Sequence, residues 1–427
     1  MATLSKFERF SKNLVFSLIT ICLVTGILEI ASYLLLRFQG LNQNSYTFSQ
    51  IISGYYVFRN TPGAALWQEV KEKPSDPPTV IDDNGFVSDH PIAETKPPGV
   101  TRIFLMGGSA VFGIGQFPPF ASVHSYHRGV LSFALSPAGQ LERYLRAQRP
   151  DLQFEVINAA ASDRMLHQSM IYYLETLSRF SPDMVVSMDG YNDLFFGMMS
   201  GRPYAQMEAK LENYIDLLNR ARSYQPNLVR LLNIGYSKYV YPYVEEDLKK
   251  QFFFKGDFEQ EKYSFAAYKQ VEGAFIHSSQ RFLQILDHFM AVLKSDKVDF
   301  IFTLQPILYR QVNKQWSTIE DRMRRTIFGV GPNMTPELID RYIIMSRYFF
   351  DQYLSRASQQ RVEKNGFGFM DLNQGITHLK SDFELYIDYC HFTVPGSKVV
   401  AELVGQEVLR RLPGQPKKVS GAGLSAP

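Results

Sequence analysis

Cysteine is nearly absent from this chain. Cys22 lies in an apolar run and Cys390 lies directly before His391. Two thiols so placed build no disulfide framework, and a structural zinc site of several thiolates is excluded. Net charge is equally scarce: Lys+Arg 45 against Asp+Glu 42 leave +3. That balance argues against a nucleic-acid surface built on bulk charge, and no nucleic-acid partner is expected. No internal repeat is visible, and a run long enough to cross a membrane occurs once. His124 and His127, spaced HSYH, lack a third candidate ligand nearby, so no metal site is expected there.

What is present is enough for one large domain or two ordinary ones, since the chain has 427 residues. Apolar residues make up 45% and charged residues 20%, a balance that supports a packed core. Phe 33 and Tyr 24 are high counts. Core packing is their main expected use, with a groove for sugars or acyl chains as the alternative.

The single long apolar run is 14–36. At about 1.5 Å per residue it crosses a bilayer core of roughly 30 Å. Lys6, Arg9 and Lys12 precede it and Arg37 follows. The positive-inside rule then puts residues 1–13 in the cytoplasm and the main domain outside it. The expected location is the inner membrane, single-pass, with a periplasmic or other extracytoplasmic main domain. A cleaved signal peptide is the rival reading, but the run is long for one and LRFQGLNQN lacks a clear small-x-small site. Glu29 is costly in lipid; it is expected to face a partner helix or to sit near the outer surface.

Residues 37–100 read as an extended connector that packs on the main domain. Proline clusters punctuate it, and Asn84-Gly85 marks a turn. From 101 to 412 apolar runs alternate with helical patterns. The candidate strands are Arg102–Met106, Phe154–Asn158, Met184–Met188, Val298–Leu304 and Phe367–Leu372. The helical stretches are Ala138–Ala147, Met165–Arg179, Phe265–Leu293, Pro336–Gln359 and Pro395–Leu412. This βαβ rhythm predicts an α/β fold with a mostly parallel five-stranded sheet and helices on both faces. Right-handed crossovers gather the loops after the strands on one edge. Two stretches fall outside the rhythm, 116–137 and 197–263, and read as insertions over that edge. The tail 413–427 reads as disordered.

Four short blocks carry chemistry at the strand ends or in the last loop. They are Gly107-Gly108-Ser109, the run VINAAASD ending at Asp163, Asp189 to Asp193, and IDYCHFTVPG from Ile387. Serine is a poor nucleophile at neutral pH and needs a base, a task that suits histidine. The base needs an orienting carboxylate. Asp388 and His391 lie three apart in a loop bent by proline and glycine, so both can point at one spot. The tetrahedral intermediate needs donors for its oxyanion, and the Ser109 N–H and the Asn192 amide are candidates. The bland alternatives are a serine N-cap, a loop histidine bonded to backbone and an Asn-Asp turn.

These blocks resemble those of the SGNH (GDSL-like) hydrolases. Ser109 matches the first block, with GGS where many members have GDS. Gly190-Tyr191-Asn192-Asp193 matches GxND, and Asp388 with His391 matches DxxH. The resemblance covers roughly Arg102 to Leu412 apart from the two insertions. It implies a flavodoxin-like α/β/α sandwich and ester or thioester hydrolysis, or acyl transfer, without a metal or organic cofactor. One departure concerns the second block. Asp163 occupies the position where the family usually has a glycine whose N–H serves the oxyanion hole. Aspartate tolerates a left-handed backbone better than most residues, but its charge repels a developing oxyanion unless turned away.

Three functions follow as expectations. The first is a membrane-anchored serine esterase acting on an acyl ester of an envelope glycan or lipid through Ser109, His391 and Asp388. The second is an O-acyltransferase using the same triad. The third is a non-catalytic glycan-binding or assembly protein on a degenerate fold of this type.

Overall fold

A computed structural model of the chain describes residues 6–38, 50–53, 57–60, 62–63, 66, 69–117, 129–193, 226–235, 254–255, 264–310, 317, 320, 326–327, 344, 346–377 and 384–412. His124 and His127, most of 197–263 and the tail 413–427 lie outside the described residues. The helices used below are α1 (Lys6–Phe38), α2 (Ser109–Phe112), α3 (Pro137–Gln148), α4 (Leu166–Glu175), α5 (Asn227–Gly235), α6 (Gly273–Ser295), α7 (Arg356–Lys364) and α8 (Val394–Arg411). Five parallel strands are β1 (Val100–Gly107), β2 (Gln153–Asn158), β3 (Met184–Asp189), β4 (Asp299–Leu304) and β5 (Gly368–Asp371).

The chain divides into two compact units. One comprises Met1–Thr47 with Lys210–Phe253; the other comprises Phe48–Ala209 with Phe254–Pro427. In the first unit, α1 contains an apolar stretch, Asn13–Leu35, of mean hydropathy 2.4. It is long and apolar enough to cross a membrane. Its large side chains, such as Phe16, Ile21 and Ile27, are exposed.

The second unit is built on a sheet with spatial order β2-β1-β3-β4-β5 through its parallel strands. Ile103 stands opposite Val156 on one side and Met184 on the other. Strand residues are buried on both faces, which is why the runs read as almost continuously apolar rather than alternating. On one face Phe104, Met106, Val185, Phe300 and Phe302 join a core with residues of α4 and α6. The intervening residues Ile103, Leu105, Val156, Val186 and Ile301 are buried as well and point to the opposite face, as the two-residue period of a strand requires. On that side α3 packs closely on α8, with Gly405 against the Tyr144 ring.

The sheet is larger than the five strands read from the sequence. Val87–Ser88 pairs antiparallel to β2, and Val80–Ile81 pairs antiparallel to Val87–Ser88, so the sheet has seven strands. Each added strand has two residues, too few to show a periodicity. They lie in the connector, on either side of the Asn84-Gly85 turn. The Asp82 carboxylate closes that turn by accepting from Asn84 N at 2.9 Å and Phe86 N at 2.8 Å. Phe86 beyond it is fully buried, with ring centroids 5.5 Å from Phe104 and 5.1 Å from Phe180. Two further departures are local. The stretch read as one helix from Phe265 divides at Glu272 into Phe265–Val271 and α6. Part of the stretch read as a loop over 116–137 is strand, Gly129–Leu131, in a second, four-stranded sheet.

Candidate active site

Ser109 opens α2 directly after β1, at the carboxyl edge of the sheet. Gly107 makes that corner with φ +149, where a Cβ would stand 2.4 Å from the carbonyl oxygen of Met188 on β3. No residue with a side chain fits there without moving β3.

The other half of the site comes from the last loop. Asp388 is fully buried. Its Oδ1 accepts from the backbone N–H groups of Cys390 and His391, both at 2.9 Å. The loop is closed at its base by Ile387 N donating to His391 O at 3.0 Å and Thr393 N donating to Leu385 O at 3.0 Å. It is buttressed from the sheet by Leu308 N donating to Tyr389 O at 2.9 Å and Gln305 Nε2 donating to Cys390 O at 3.3 Å. Thr393 then caps α8 by accepting from Gly396 N at 2.9 Å.

What brings the halves together is a pairing between short strands. Phe392–Thr393 lies parallel to Gly115–Gln116, a few residues beyond Ser109. The result is a hydrogen-bonded line. His391 Nδ1 is 2.7 Å from Asp388 Oδ2, and His391 Nε2 is 2.7 Å from Ser109 Oγ. An ionised carboxylate only accepts, so Nδ1 carries the ring hydrogen of the neutral imidazole and Nε2 is left to accept from the serine hydroxyl. Ser109 and His391 are nine-tenths or more buried, which limits competition from water.

Asn192 follows β3 and is buried. Its Nδ2 donates to Arg164 O at 2.8 Å and lies 2.4 Å from where a Cβ on Gly108 would stand. The amide therefore fills the space that the missing side chain of Gly108 leaves. Asp163 occupies the turn between β2 and α4 with φ +60, in the left-handed region. The turn runs alongside the end of β1, with Ala159 N donating to Leu105 O at 2.9 Å and Ala161 N donating to Gly107 O at 3.2 Å. His391 thus contacts both Ser109 and Asp388. Asn192 meets them at Gly108, and Asp163 stands one residue before the carbonyl that holds Asn192.

Behind this surface is a pair of acids. Asp189 ends β3, fully enclosed, and accepts from the Ser187 hydroxyl. Burial raises its pKa, against the opposing effect of Arg164. Asp193, as a residue, is partly exposed, but its carboxylate is packed against Leu166 N, which donates to it at 3.2 Å. Burial raises the Asp193 pKa first and the charge of Asp189 raises it further. Two such close carboxylates do not both ionise readily.

Several participants carry no sequence signal. Arg164 reads as one more polar residue in a turn, yet it is buried, with its guanidinium 4.3 Å from the Tyr172 ring centroid. Cys390 Sγ sits 3.6 Å from His391 Nδ1. Asp388, Cys390 and His391 offer metal-donor atoms within 4.8 Å of one another. A cation held through Nδ1 would displace the His391–Asp388 hydrogen bond. A cavity lined by His90, Val100, Arg146 and Phe154 takes in the first residue of β1, at the opposite end of the strand from Ser109.

No family model matches the chain, and no curated protein matches it. Among solved structures, Axe2, an acetylxylan esterase from Geobacillus stearothermophilus, aligns at 14% identity over 75% of this chain and 97% of its own, with a TM-score of 0.36. The acetyl xylan esterase AlAXEase aligns at 10% identity over 72% and 99%, with a TM-score of 0.36. LAE5, an alpha/beta hydrolase from the metagenome of Lake Arreo, Spain, aligns at 11% identity over 71% and 94%, with a TM-score of 0.34. Likeness this loose carries no argument about the site, so the chemistry rests on the geometry of this chain.

Proposed function

We propose that the chain is a membrane-anchored serine hydrolase of the SGNH type, acting on an acyl ester of an envelope glycan or lipid. The observation that carries the reading is the unbroken line from Ser109 Oγ through His391 to Asp388, two contacts of 2.7 Å each. The strand order β2-β1-β3-β4-β5 supports it, being the order of flavodoxin-like sheets. The apolar stretch Asn13–Leu35 supports the anchor.

In the reaction, Ser109 Oγ bonds to the acyl carbon while its proton passes to His391 Nε2. Asp388 holds the ring in the required tautomer and stabilises the imidazolium. Negative charge collects on the former carbonyl oxygen. The Ser109 N–H and the second hydrogen of the Asn192 amide are its donors, since an amide nitrogen carries two hydrogens and Arg164 O takes one. The left-handed backbone of Asp163 gives its N–H the conformation of a glycine at that position. Collapse expels the alcohol, which leaves with the proton from His391. Water, activated by the same histidine, then releases the acid and restores Ser109.

The test uses the full chain in detergent. A fluorophosphonate probe should label it, a small aryl acetate should be cleaved, and Ser109→Ala should lose both. Equal turnover by that variant refutes the nucleophile. Absence of labelling in folded wild-type protein refutes catalysis and favours a binding or assembly role. Acyl transfer to a glycan at the expense of hydrolysis would replace water as the acceptor and leave the triad roles intact.

A further inference from the structure

Glu29 is the one charged residue in the apolar stretch Asn13–Leu35. It lies six residues before Leu35, ~9 Å along the helix, well inside an otherwise apolar surface. An unpaired carboxylate at that depth is costly, and this one is not unpaired. Glu29 Oε1 accepts from Asn227 N and from Asn227 Nδ2, the latter at 2.8 Å; Oε2 accepts from Leu228 N at 2.9 Å. The carboxylate therefore caps the first turn of α5 from outside the helix. It satisfies N–H groups that a helix start leaves open, at the end where the helix dipole favours negative charge. Ser32, one turn along α1 on the same face, is buried. Both helices belong to one compact unit.

The two described side chains of α5 that are exposed are both apolar. Val229 is 42% exposed and Leu232 63%. Arg230 is the only charged residue between Asn227 and Gly235. On α1, the large apolar side chains on either side of Glu29 are exposed as well, Ile27 65% and Ile30 62%. A cap of three hydrogen bonds pins α5 to a point inside the apolar stretch. Whatever solvent surrounds α1 at Glu29 therefore surrounds α5 as well.

We infer that α5 is a second membrane-embedded element: its apolar side lies in the hydrocarbon of the bilayer, and Glu29 holds its first turn there. The inference rests on the reading of α1 as an anchor. It gives the chain two lipid contacts far apart in sequence, and it gives Glu29 a structural purpose.

The experiment uses the full chain, with Cys22→Ala and Leu232→Cys, labelled with an environment-sensitive fluorophore; Cys390 is buried and stays unlabelled. The protein is placed in phosphatidylcholine–phosphatidylglycerol liposomes. Flotation tests the anchor first: a chain that does not float with the lipid refutes that reading and this inference with it. In a chain that floats, doxyl groups high on the acyl chains should quench the probe and aqueous iodide should not. Quenching by iodide alone puts α5 in water; insensitivity to both puts it against protein, such as a second copy. Either result overturns the inference while the anchor stands. Glu29→Gln should keep most of the doxyl quenching and Glu29→Leu should lose most of it. Unchanged quenching in the leucine variant overturns the role of Glu29.

Discussion

Replacing Gly108 with alanine adds a single carbon, and its consequence follows from a distance. The new Cβ would stand 2.4 Å from Asn192 Nδ2 and 3.4 Å from Arg164 O. Non-bonded heavy atoms settle at about 3.5–4.0 Å, so the amide must retreat by about 1 Å while Arg164 O need hardly move. Asn192 is buried and tied to Arg164 O at 2.8 Å, so no free space receives it. Overpacking of this kind costs about 1–3 kcal/mol of stability. The catalytic loss is larger, because a donor displaced by about 1 Å ceases to stabilise the oxyanion, which amounts to roughly 2.7–4 kcal/mol. The expected result for Gly108→Ala is a kcat on an aryl acetate lowered by about 10²–10³, in a protein that still folds and melts cooperatively. The control is the double variant. Once Asn192→Ala has removed the amide, adding Gly108→Ala should lower kcat little further, because both changes remove the same donor. A kcat within a few-fold of wild type for Gly108→Ala refutes the reasoning. So does a double variant in which the two losses multiply.

Other outcomes follow from the same geometry. Asp388→Asn keeps the size of the side chain but cannot accept from Nδ1–H in the same way, so kcat should fall by about 10³–10⁴ with little change in KM; a loss under ten-fold would contradict the orienting role. Asp193→Asn tests the buried acid pair. A raised folded-state pKa means that the native protein holds a proton which the unfolded chain releases from pH ~4 upward. Stability from this group is therefore greatest below that range and declines as pH rises through the raised value. The decline in thermal midpoint between mildly acidic and neutral pH should be shallower in the asparagine variant, and an identical slope would refute the assignment. Gly107→Ala should unfold the chain or strip several degrees from its midpoint, since a Cβ there meets the Met188 backbone as well as the Val111 side chain; a fully stable variant would refute the tightness of the corner.

Much of the main unit is legible along the sequence because it is local. The five runs read as buried strands fall within two residues of β1 to β5, since a strand covered on both faces leaves an unbroken apolar run. The helix after His391 announces itself through Thr393 and Pro395, a cap and a first-turn proline. The two connector strands leave no trace in the sequence because two residues show no period. The requirement for glycine at 108 comes from Asn192, a residue at a different strand end, and no local pattern shows it. The contacts that Arg164 makes with Asn192 and Glu29 with Asn227 join segments far apart in the chain, so no local pattern announces them.

By itself, the sequence determined the five parallel strands and the helix after His391, where an apolar stretch lies, and which residue types stand at the strand ends. Those follow from periodicity, capping and composition, which act over a turn or two of chain. Only the tertiary structure decided that Phe392–Thr393 pairs beside Gly115–Gln116 and thereby brings His391 to Ser109, that Asn192 occupies the space over Gly108, and that Glu29 meets Asn227. These are contacts between distant parts of the chain. Each depends on how the strands and helices stack, and no local pattern encodes the distance at which they meet.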